Sequence, residues 1–245
     1  MSLQKYLTLK NYKLYFKYHL NKKHKVSYSQ CGEDILMSCA LTELGILKPT
    51  YLDIGTNHPI LNNNTYLFYS RGARGICVEP DSELFRVIKR IRKYDTCLNA
   101  GIGPVDDENA VFYVMSSKPL GTFLQSEANK YVNDRNYGKQ EIRKVTKMPL
   151  VSINTVMAKY FSPCAEIVSV DAEGYDLEII ASLDLQKYRP KVMCVETLRY
   201  GNNGKVEKQN EIIKYLTERG YFLYADTYVN SIFVDKTIWK LKRKN

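Results

Sequence analysis

The chain has 245 residues, of which 44% are hydrophobic and 25% charged. This composition suits one folded domain and excludes a chain that is disordered throughout. No apolar run approaches the roughly 20 residues that cross a bilayer, and no apolar signal core opens the sequence. The six cysteines are scattered without a C-x-x-C pair, which is typical of free thiols in a reducing compartment. We therefore expect a cytoplasmic protein.

The formal net charge of +10 is concentrated near the two ends of the chain. Residues 1 to 25 carry seven lysines and no acidic residue, so we treat them as a basic N-terminal arm. The arm is compatible with a peripheral helix packed on the domain or on a partner chain, with a helix on a membrane surface, or with a loose segment. Its charge would attract the phosphate of a nucleotide, a lipid or RNA.

From residue 26 onwards, short apolar runs alternate with helix-like segments. The predicted strands are residues 51–54, 75–79, 95–98, 111–115, 166–170, 191–196, 221–225 and 231–234. The predicted helices are residues 33–45, about 61–71, 81–93, 152–160, 175–183 and 206–219. This alternation predicts an α/β fold with a mainly parallel sheet and helices on both faces.

Two regions depart from the alternation. The last two predicted strands, within "YFLYADTYVNSIFV", have no helix between them, which predicts an antiparallel C-terminal hairpin at the sheet edge. Residues 116–147 are polar and irregular, which predicts an insertion that serves as a lid or substrate loop. The expected organisation is therefore the arm over residues 1–25 and a single domain over residues 26–245 that contains this insertion.

Acidic residues follow four of the predicted strands: Asp53, Glu79, Asp171 and Glu196. In open parallel sheets, ligands bind beyond the carboxyl ends of the strands. Asp53 opens the stretch "DIGTNHP", and Glu79 ends the next strand at the distance typical of an acid that accepts both hydroxyls of a ribose. The sequence therefore favours a nucleoside ligand, although Asp53 is also compatible with a residue that only caps a turn.

The turn after the first strand argues against a pyrophosphate. A dinucleotide cofactor requires G-x-G-x-x-G, whereas only Gly55 is present here, followed by Asn57 and His58-Pro59. A nucleoside without phosphate, such as S-adenosylmethionine, fits better, because its methionine amino group is cationic and suits a nearby acid such as Asp53.

A second polar group lies in "SVDAEGYDLEII", residues 169 to 180. Asp171 and Glu173 flank one residue at the end of a strand, and Glu196 would lie beside them at the end of the next strand. Crowded carboxylates raise each other's pKa, which can turn one of them into a useful base. The alternative is that Asp171 or Asp176 caps the following helix.

Four stretches together resemble the FkbM-type S-adenosylmethionine-dependent methyltransferases, from about residue 28 to 235. "SQCGEDILM" (29–37) resembles the opening motif of the family, and "LDIGTNHP...NNNTYLFYSRGARGICVEP" (52–80) resembles its cofactor block. "SVDAEGYDLEII" (169–180) is similar to its acidic signature, and "YRPKVMCVE" (188–196) to the strand that follows. Pro59 stands where other methyltransferases have the last glycine of the turn.

The resemblance implies the class I methyltransferase (Rossmann-like) fold, with a seven-stranded sheet and an antiparallel terminal strand. It also implies that Asp53, Gly55 and Asn57 approach the methionine moiety of the cofactor, and that Glu79 holds its ribose while Pro80 fixes the chain behind it. Many members methylate hydroxyls of sugars or natural products, and many belong to gene sets for surface polysaccharides.

Further residues would complete the pocket if the resemblance holds. The segment around Asn99 would border the adenine, and Gln30 and Glu33 would close the pocket from the preceding helix. His58 stands beside the cofactor turn and is a candidate base or a turn residue, since Pro59 restricts its backbone to extended geometry.

The expected reaction is O-methylation of a sugar or sugar nucleotide. Glu173 is the candidate general base. Asp171 and Glu196 are candidate ligands for Mg²⁺, which would acidify a hydroxyl, by analogy with certain metal-dependent sugar O-methyltransferases. Without a metal, Asp171 would orient the amino group of the cofactor.

Other interpretations remain open at this point. Basic residues of the insertion, among them Lys118 and Arg143, would meet a diphosphate or only form a solvated loop. The net charge allows an RNA methyltransferase, although the chain has no recognisable RNA-binding module. A non-catalytic interaction protein that kept the fold is the third alternative. The sequence also allows a homo-oligomer.

Overall fold

A computed structural model describes residues 26–200 and 206–242 of the protein. The predictions for residues 1–25 lie outside the described residues. The strands are β1 (Tyr51–Ile54), β2 (Gly75–Val78), β3 (Thr96–Leu98), β4 (Gly101–Gly103), β5 (Asp107–Met115), β6 (Ile142–Ser152), β7 (Ile167–Val170), β8 (Val192–Glu196), β9 (Leu198–Tyr200), β10 (Val206–Lys208), β11 (Tyr221–Asp226) and β12 (Asn230–Asp235).

The helices lie between these strands. They are α1 (Glu33–Glu43), α2 (Tyr66–Ser70), α3 (Ser82–Ile91), α4 (Gln125–Asn133), α5 (Ile153–Tyr160), α6 (Asp176–Ser182), α7 (Asn210–Glu218) and α8 (Lys236–Lys242). Across the described ranges, no helix is both long and apolar enough to cross a membrane.

Seven of the described strands form the main sheet, in the order β11-β12-β8-β7-β1-β2-β3. The strands from β3 to β8 in this order are parallel, whereas β12 is antiparallel to both β8 and β11. The predicted fold is thus confirmed, including the antiparallel C-terminal hairpin. After β1 the chain continues to β2 on one side of it, and it later returns to β7 on the other side. The carboxyl ends of β1 and β7 therefore flank a crevice at the switch point of the sheet.

Both faces of the main sheet are buried, as the continuous apolar runs of its strands require. Along β8, Met193 and Val195 pack with the helices α5, α6 and α7. Val192 and Cys194 alternate with them and pack on the opposite face with α1 and α2. Because β1, β7 and β8 are parallel, their carboxyl ends lie at the same edge of the sheet.

A second sheet carries the segment predicted as a strand at residues 111–115. Among the described residues it has the order β4-β6-β5, with β6 parallel to β4 and antiparallel to β5. The segment therefore lies in β5, outside the main sheet. Ala110 and Phe112 are buried on one face of β5, while their neighbours are exposed or half-buried. A strand with one exposed face does not suit the main sheet, whose strands are buried on both faces.

Two predicted helices are shorter than the sequence pattern indicates. Only α2 forms within residues 61–71, because the Asn63 side chain accepts hydrogen bonds from the backbone N–H groups of Thr65 and Tyr66 and holds the preceding residues in a turn. Similarly, α7 begins at residue 210, because residues 206–208 form β10 and pair with β9.

The predicted insertion over residues 116–147 is ordered. It contains a short 3₁₀ helix (Lys118–Leu120), α4, a second 3₁₀ helix (Arg135–Tyr137) and the first half of β6. Met115, Ala128 and Tyr131 form its own small apolar cluster. The insertion therefore forms a folded part of the domain that packs beside the strand ends.

A buried arginine fixes the loop between β1 and α2. Arg92 is fully buried, and its Nε donates to Asp95 Oδ2 at 2.7 Å. One terminal nitrogen donates to the carbonyl oxygen of Pro59 and to Asn63, and the other donates to Thr65. A buried cation is tolerable only with such full pairing, so this loop has little freedom to move.

We predict that Arg92→Met destabilises the protein by about 3–5 kcal/mol, because it leaves the Asp95 carboxylate buried without its partner. Urea denaturation measures this free energy of unfolding. The control is Arg90→Met, at an exposed position of α3, with an expected change within about 0.5 kcal/mol. A loss below about 1 kcal/mol in Arg92→Met would contradict the role of this network.

Candidate active site

A cavity of about 640 Å³, partly open to solvent, lies at the carboxyl ends of β1, β2 and β7. Ile102 and Phe112 contribute apolar walls, while Glu79, Asp171 and Glu173 contribute carboxyl groups. Mostly apolar walls with a few convergent polar groups are typical of a small-molecule site. The cavity is therefore the candidate active site.

The turn after β1 forms the floor of the cavity at Gly55. A Cβ atom at this position would lie 1.8 Å from the carbonyl oxygen of Asp171, and φ is +74°. Only glycine fits such a close approach. Asn57, with φ of 53°, also lines the cavity, and short polar residues are the ones that best tolerate this left-handed conformation. The structure therefore brings Gly55 and Asn57 together as the sequence predicts.

Glu79 is held by two backbone groups. Its Oε2 accepts the N–H of Asn57 and its Oε1 accepts the N–H of Asp81, each at 2.8 Å. Burial raises the pKa of Glu79 to about 7, against the lowering effect of these two hydrogen bonds. An ionised carboxylate has about four lone-pair sites, so each oxygen keeps one site for a ligand hydroxyl. Pro80 lines the cavity next to it.

Asn99 supports Glu79 from the end of β3. Its Nδ2 donates to the carbonyl oxygens of Glu79 and Pro80 at 2.9 Å each. The Asn99 side chain lines a neighbouring groove, and the chain that follows it, Ala100 and Gly101, lines the cavity itself. The segment around Asn99 thus lies at the border of the cavity, and its contact with the adenine stays a prediction.

Asp53 lies behind the turn and not in the cavity wall. Its Oδ2 accepts hydrogen bonds from Thr65 Oγ1 at 2.8 Å and from Asn63 Nδ2 at 3.1 Å. Burial raises the pKa of Asp53, and nearby Arg92 opposes this effect. The carboxylate therefore links β1 to the loop that Arg92 holds.

Gln30 and Glu33 lie outside the residues that line the cavity. Gln30 is exposed. Glu33 is buried, and its Oε1 accepts hydrogen bonds from Thr227 and Asn230 of the C-terminal hairpin. Burial alone would raise the pKa of Glu33, but its hydrogen bonds bring that pKa below the ordinary value. Glu33 thus fastens α1 to the sheet edge.

His58 is also outside the cavity wall. Its Nδ1 accepts the backbone N–H groups of Ile60 at 3.1 Å and Leu61 at 2.9 Å. This nitrogen is therefore committed to the turn around Pro59.

Four carboxyl groups meet at the ends of β7 and β8. Asp171 and Glu196 lie close enough to shift each other's pKa. Asp171 is exposed as a whole residue, but desolvation of its carboxyl group, followed by the charges of Asp176 and Asp53, raises its pKa to about 7. Burial and the neighbouring acids raise the pKa of Glu196 well above its ordinary value. The structure therefore brings Asp171, Glu173 and Glu196 together, as the sequence predicts.

Asp176 shapes the loop that carries these groups. Its two carboxylate oxygens accept the backbone N–H groups of Ala172 at 2.9 Å and Gly174 at 3.3 Å. Burial raises its pKa to about 6, while these backbone hydrogen bonds lower it. Asp176 thereby holds Glu173 in a left-handed conformation with φ of 48°, which costs free energy for a residue with a side chain.

The insertion covers this loop through α4. The hydroxyl of Tyr131 donates to Glu173 Oε2 at 2.7 Å, and Thr122 Oγ1 donates to the Glu173 carbonyl oxygen at 3.1 Å. Glu127 packs so tightly on Gly174 that a Cβ there would lie 2.8 Å from Glu127 Cγ. Sequence analysis did not identify Tyr131, because its neighbourhood arises only when the insertion folds back.

The donor set does not fit the predicted Mg²⁺ site. Over the described part of the chain, no three histidine, cysteine or acidic side chains are arranged to hold a metal ion. Asp171 and Glu196 lie together, but no third such side chain completes a set with them among the described residues.

Comparison with known proteins agrees with the geometry. The family model described as the methyltransferase FkbM domain matches residues 53–223, more than half of the chain. The fold is that of class I S-adenosylmethionine-dependent methyltransferases, and the chain belongs to the FkbM methyltransferase family. It is therefore a methyltransferase that uses S-adenosylmethionine. No curated protein matches the sequence significantly.

Among solved structures, an FkbM methyltransferase from Methylobacillus flagellatus is 9% identical, with a TM-score of 0.47, over 77% of this chain. The match spans only 44% of the length of that protein. An O-methyltransferase from Bacillus cereus in complex with SAH is 12% identical over 92% of this chain and 88% of its own, with a TM-score of 0.42. A TehB-like methyltransferase from Corynebacterium glutamicum is 10% identical over 93% and 97%, with a TM-score of 0.41.

The site predicts a pH-dependent stability of the protein without cofactor. Burial raises the pKa of five acids: Glu79, Asp171, Glu173, Asp176 and Glu196. Between the ordinary and the raised pKa, the folded chain holds more protons than the unfolded chain. The stability from these groups is therefore complete below about pH 4 and is lost as the pH rises through about 6 to 7 and beyond.

We predict that Glu196→Gln removes part of this dependence. We subtract the free energy of unfolding of the unchanged protein from that of the variant at each pH. This difference, measured by urea denaturation, should increase as the pH rises from about 5 to about 8. Glu178→Gln, at an exposed position of α6, is the matched control and should leave the difference constant. Parallel pH profiles for Glu196→Gln and the unchanged protein would refute the raised pKa.

Proposed function

We propose that this protein transfers a methyl group from S-adenosylmethionine to a hydroxyl of a sugar or sugar nucleotide, in the cytoplasm, in surface polysaccharide biosynthesis. The family supports the methyl donor. The acceptor class is supported by the site, because a sugar hydroxyl is a poor nucleophile at neutral pH and needs a base within hydrogen-bond reach.

The observation that carries the proposal is the position of Glu173. Its carboxyl group lies in the same cavity as Gly55 and Glu79 and is held by the Tyr131 hydroxyl at 2.7 Å. A carboxyl group that is fixed at the mouth of the cofactor cavity can accept a proton from an acceptor hydroxyl.

Each part of the cofactor has a fitting group in the cavity. Glu79 would accept the ribose hydroxyls, Ile102 and Phe112 would contact the adenine, and the backbone at Gly55 would lie against the methionine portion. S-adenosylmethionine supplies an electrophilic methyl group when it is bound. The walls align the acceptor oxygen with that group, and alignment can contribute up to about 7–11 kcal/mol to the barrier reduction.

Glu173 must lose its proton before it can act as a base. Burial and the charges of Asp171 and Asp176 raise its pKa, whereas the Tyr131 hydrogen bond and Lys130 lower it. The positive charge of the cofactor would lower it further, because a nearby opposite charge favours the ionised form. Glu173 would thus become a base when the methyl donor is in place.

We predict that Glu173→Gln abolishes transfer and leaves cofactor binding intact. The expected loss of kcat is about 10²–10⁴-fold, the usual contribution of a general base. The assay uses labelled S-adenosylmethionine with a panel of free sugars and nucleotide sugars, with and without chelator, and mass spectrometry of the products. Calorimetry with S-adenosylhomocysteine checks binding, and Glu178→Gln is the control. Full activity of Glu173→Gln would remove this residue from the mechanism.

We also predict that Tyr131→Phe shifts the pH profile of kcat/KM. Without the hydroxyl donor, the apparent pKa of Glu173 rises, so the acidic limb should move upward by about one pH unit. Asp171 and Glu196 titrate with Glu173, so the shift belongs to the group of acids.

Tyr113→Phe provides the matched control for this variant. Tyr113 packs against the same apolar cluster as Tyr131, so loss of its hydroxyl tests for a general effect on the insertion. An unchanged acidic limb in Tyr131→Phe, or an equal shift in Tyr113→Phe, would contradict the contact between Tyr131 and the base.

A further inference from the structure

A second groove, of about 1080 Å³ and open to solvent, adjoins the candidate active site. It lies between the start of α3 and the two long strands β5 and β6. Pro80, Phe112 and Lys118 line both the groove and the cofactor cavity. A ligand in the groove could therefore extend into the cavity.

The groove has more positive than negative charge to offer a ligand. Lys118 is paired with Glu83 at 2.6 Å. Arg143, Lys144 and Lys147 of β6 line the groove and are exposed, and they have no ion pair within the described residues.

Two acidic residues, Asp81 and Glu83, line the groove together with these cations, and Asp81 also caps the start of α3. Its Oδ1 accepts the backbone N–H groups of Glu83 and Leu84 at the start of α3, and the residue is buried. The groove lining therefore has two more cationic side chains than acidic ones. Cations that share a concave surface raise the local concentration of anions.

The cofactor does not account for this charge, because S-adenosylmethionine has no phosphate. Lysine and arginine residues on a strand edge also discourage pairing with other chains, but that role needs no groove and no connection to the cavity. The connection through Lys118 indicates a ligand that takes part in the reaction.

We propose that this groove binds the diphosphate of the acceptor substrate, through Arg143, Lys144 and Lys147. Arginine binds phosphate oxygens in a bidentate manner and lysine as a point charge. The hydroxyl-bearing part of the acceptor then reaches the cavity past Lys118. The proposal rests on the proposed function and specifies its acceptor as a diphosphate ester.

The test is a calorimetric titration of the full chain, saturated with S-adenosylhomocysteine, with inorganic pyrophosphate and with uridine diphosphate. We expect both anions to bind and the affinity to fall with salt. The triple variant Arg143→Ala/Lys144→Ala/Lys147→Ala should lose at least about tenfold in affinity. Equal affinity of the triple variant, or absence of binding to the unchanged protein, would overturn the proposal.

The control is a second triple variant, Lys48→Ala/Lys93→Ala/Lys187→Ala. All three lysines are exposed and none lines the groove. This variant has the same loss of charge, so it should keep the affinity for both anions. An equal loss in both triple variants would show that only net charge matters and would also overturn the proposal.

Two further arms identify the source of the diphosphate. Preference for uridine diphosphate over vesicles that carry a diphosphate lipid indicates a soluble nucleotide sugar, and the reverse indicates a lipid-linked sugar; either result supports the groove. Tighter binding of single-stranded RNA, lost in the Arg143 triple variant, would overturn the proposal in favour of a nucleic acid.

Failure of the proposed function is separable from failure of the groove. The pyrophosphate titration involves no turnover, so it reports on the groove even if no acceptor is methylated. Conversely, methylation of nucleotide sugars with unchanged KM in the Arg143 triple variant would leave the proposed function standing and overturn the groove.

Discussion

Glu79 joins the three loops on which the active site depends, two through its carboxylate and one through its carbonyl oxygen. It accepts the N–H of Asn57 after β1 and the N–H of Asp81 after β2, and Asn99 after β3 donates to the Glu79 carbonyl oxygen. A single buried acid thus sets the distance between three strand ends. Because each of its oxygens keeps a free lone-pair site, the group that organises the loops is also the group that can recognise a ribose.

On the opposite side of the cavity, four acidic side chains repel one another, and the fold has to offset this repulsion. Asp171, Glu173, Asp176 and Glu196 are close together, and burial raises the pKa of each. Hydrogen bonds partly offset the repulsion between these acids. Asp176 accepts two backbone N–H groups, and Glu173 accepts the Tyr131 hydroxyl. A cationic ligand would stabilise such a group of acids more than any of these hydrogen bonds, because opposite charges interact strongly at low dielectric. The cavity is therefore suited to a positively charged ligand.

Sequence patterns predicted the main sheet and most of the groups around the cavity. The apolar strands and their terminal acids are adjacent in sequence, so Glu79, Asp171 and Glu196 follow from strand position alone. Gly55 and Asn57 were identified from the turn after β1, but their left-handed conformations come from the structure. Residues whose role depends on distant partners were not predictable: Asp53 turns toward Asn63 and Thr65 and away from the cavity, and Tyr131 reaches Glu173 only through the folded insertion.

The most direct test of the account is a crystal structure of the protein with S-adenosylhomocysteine. The account predicts that both ribose hydroxyls hydrogen-bond to Glu79, that the adenine lies between Ile102 and Phe112, and that the sulfur atom faces Glu173. A nucleoside bound elsewhere, or a Glu79 carboxylate that makes no contact with the ribose, would contradict the central claim.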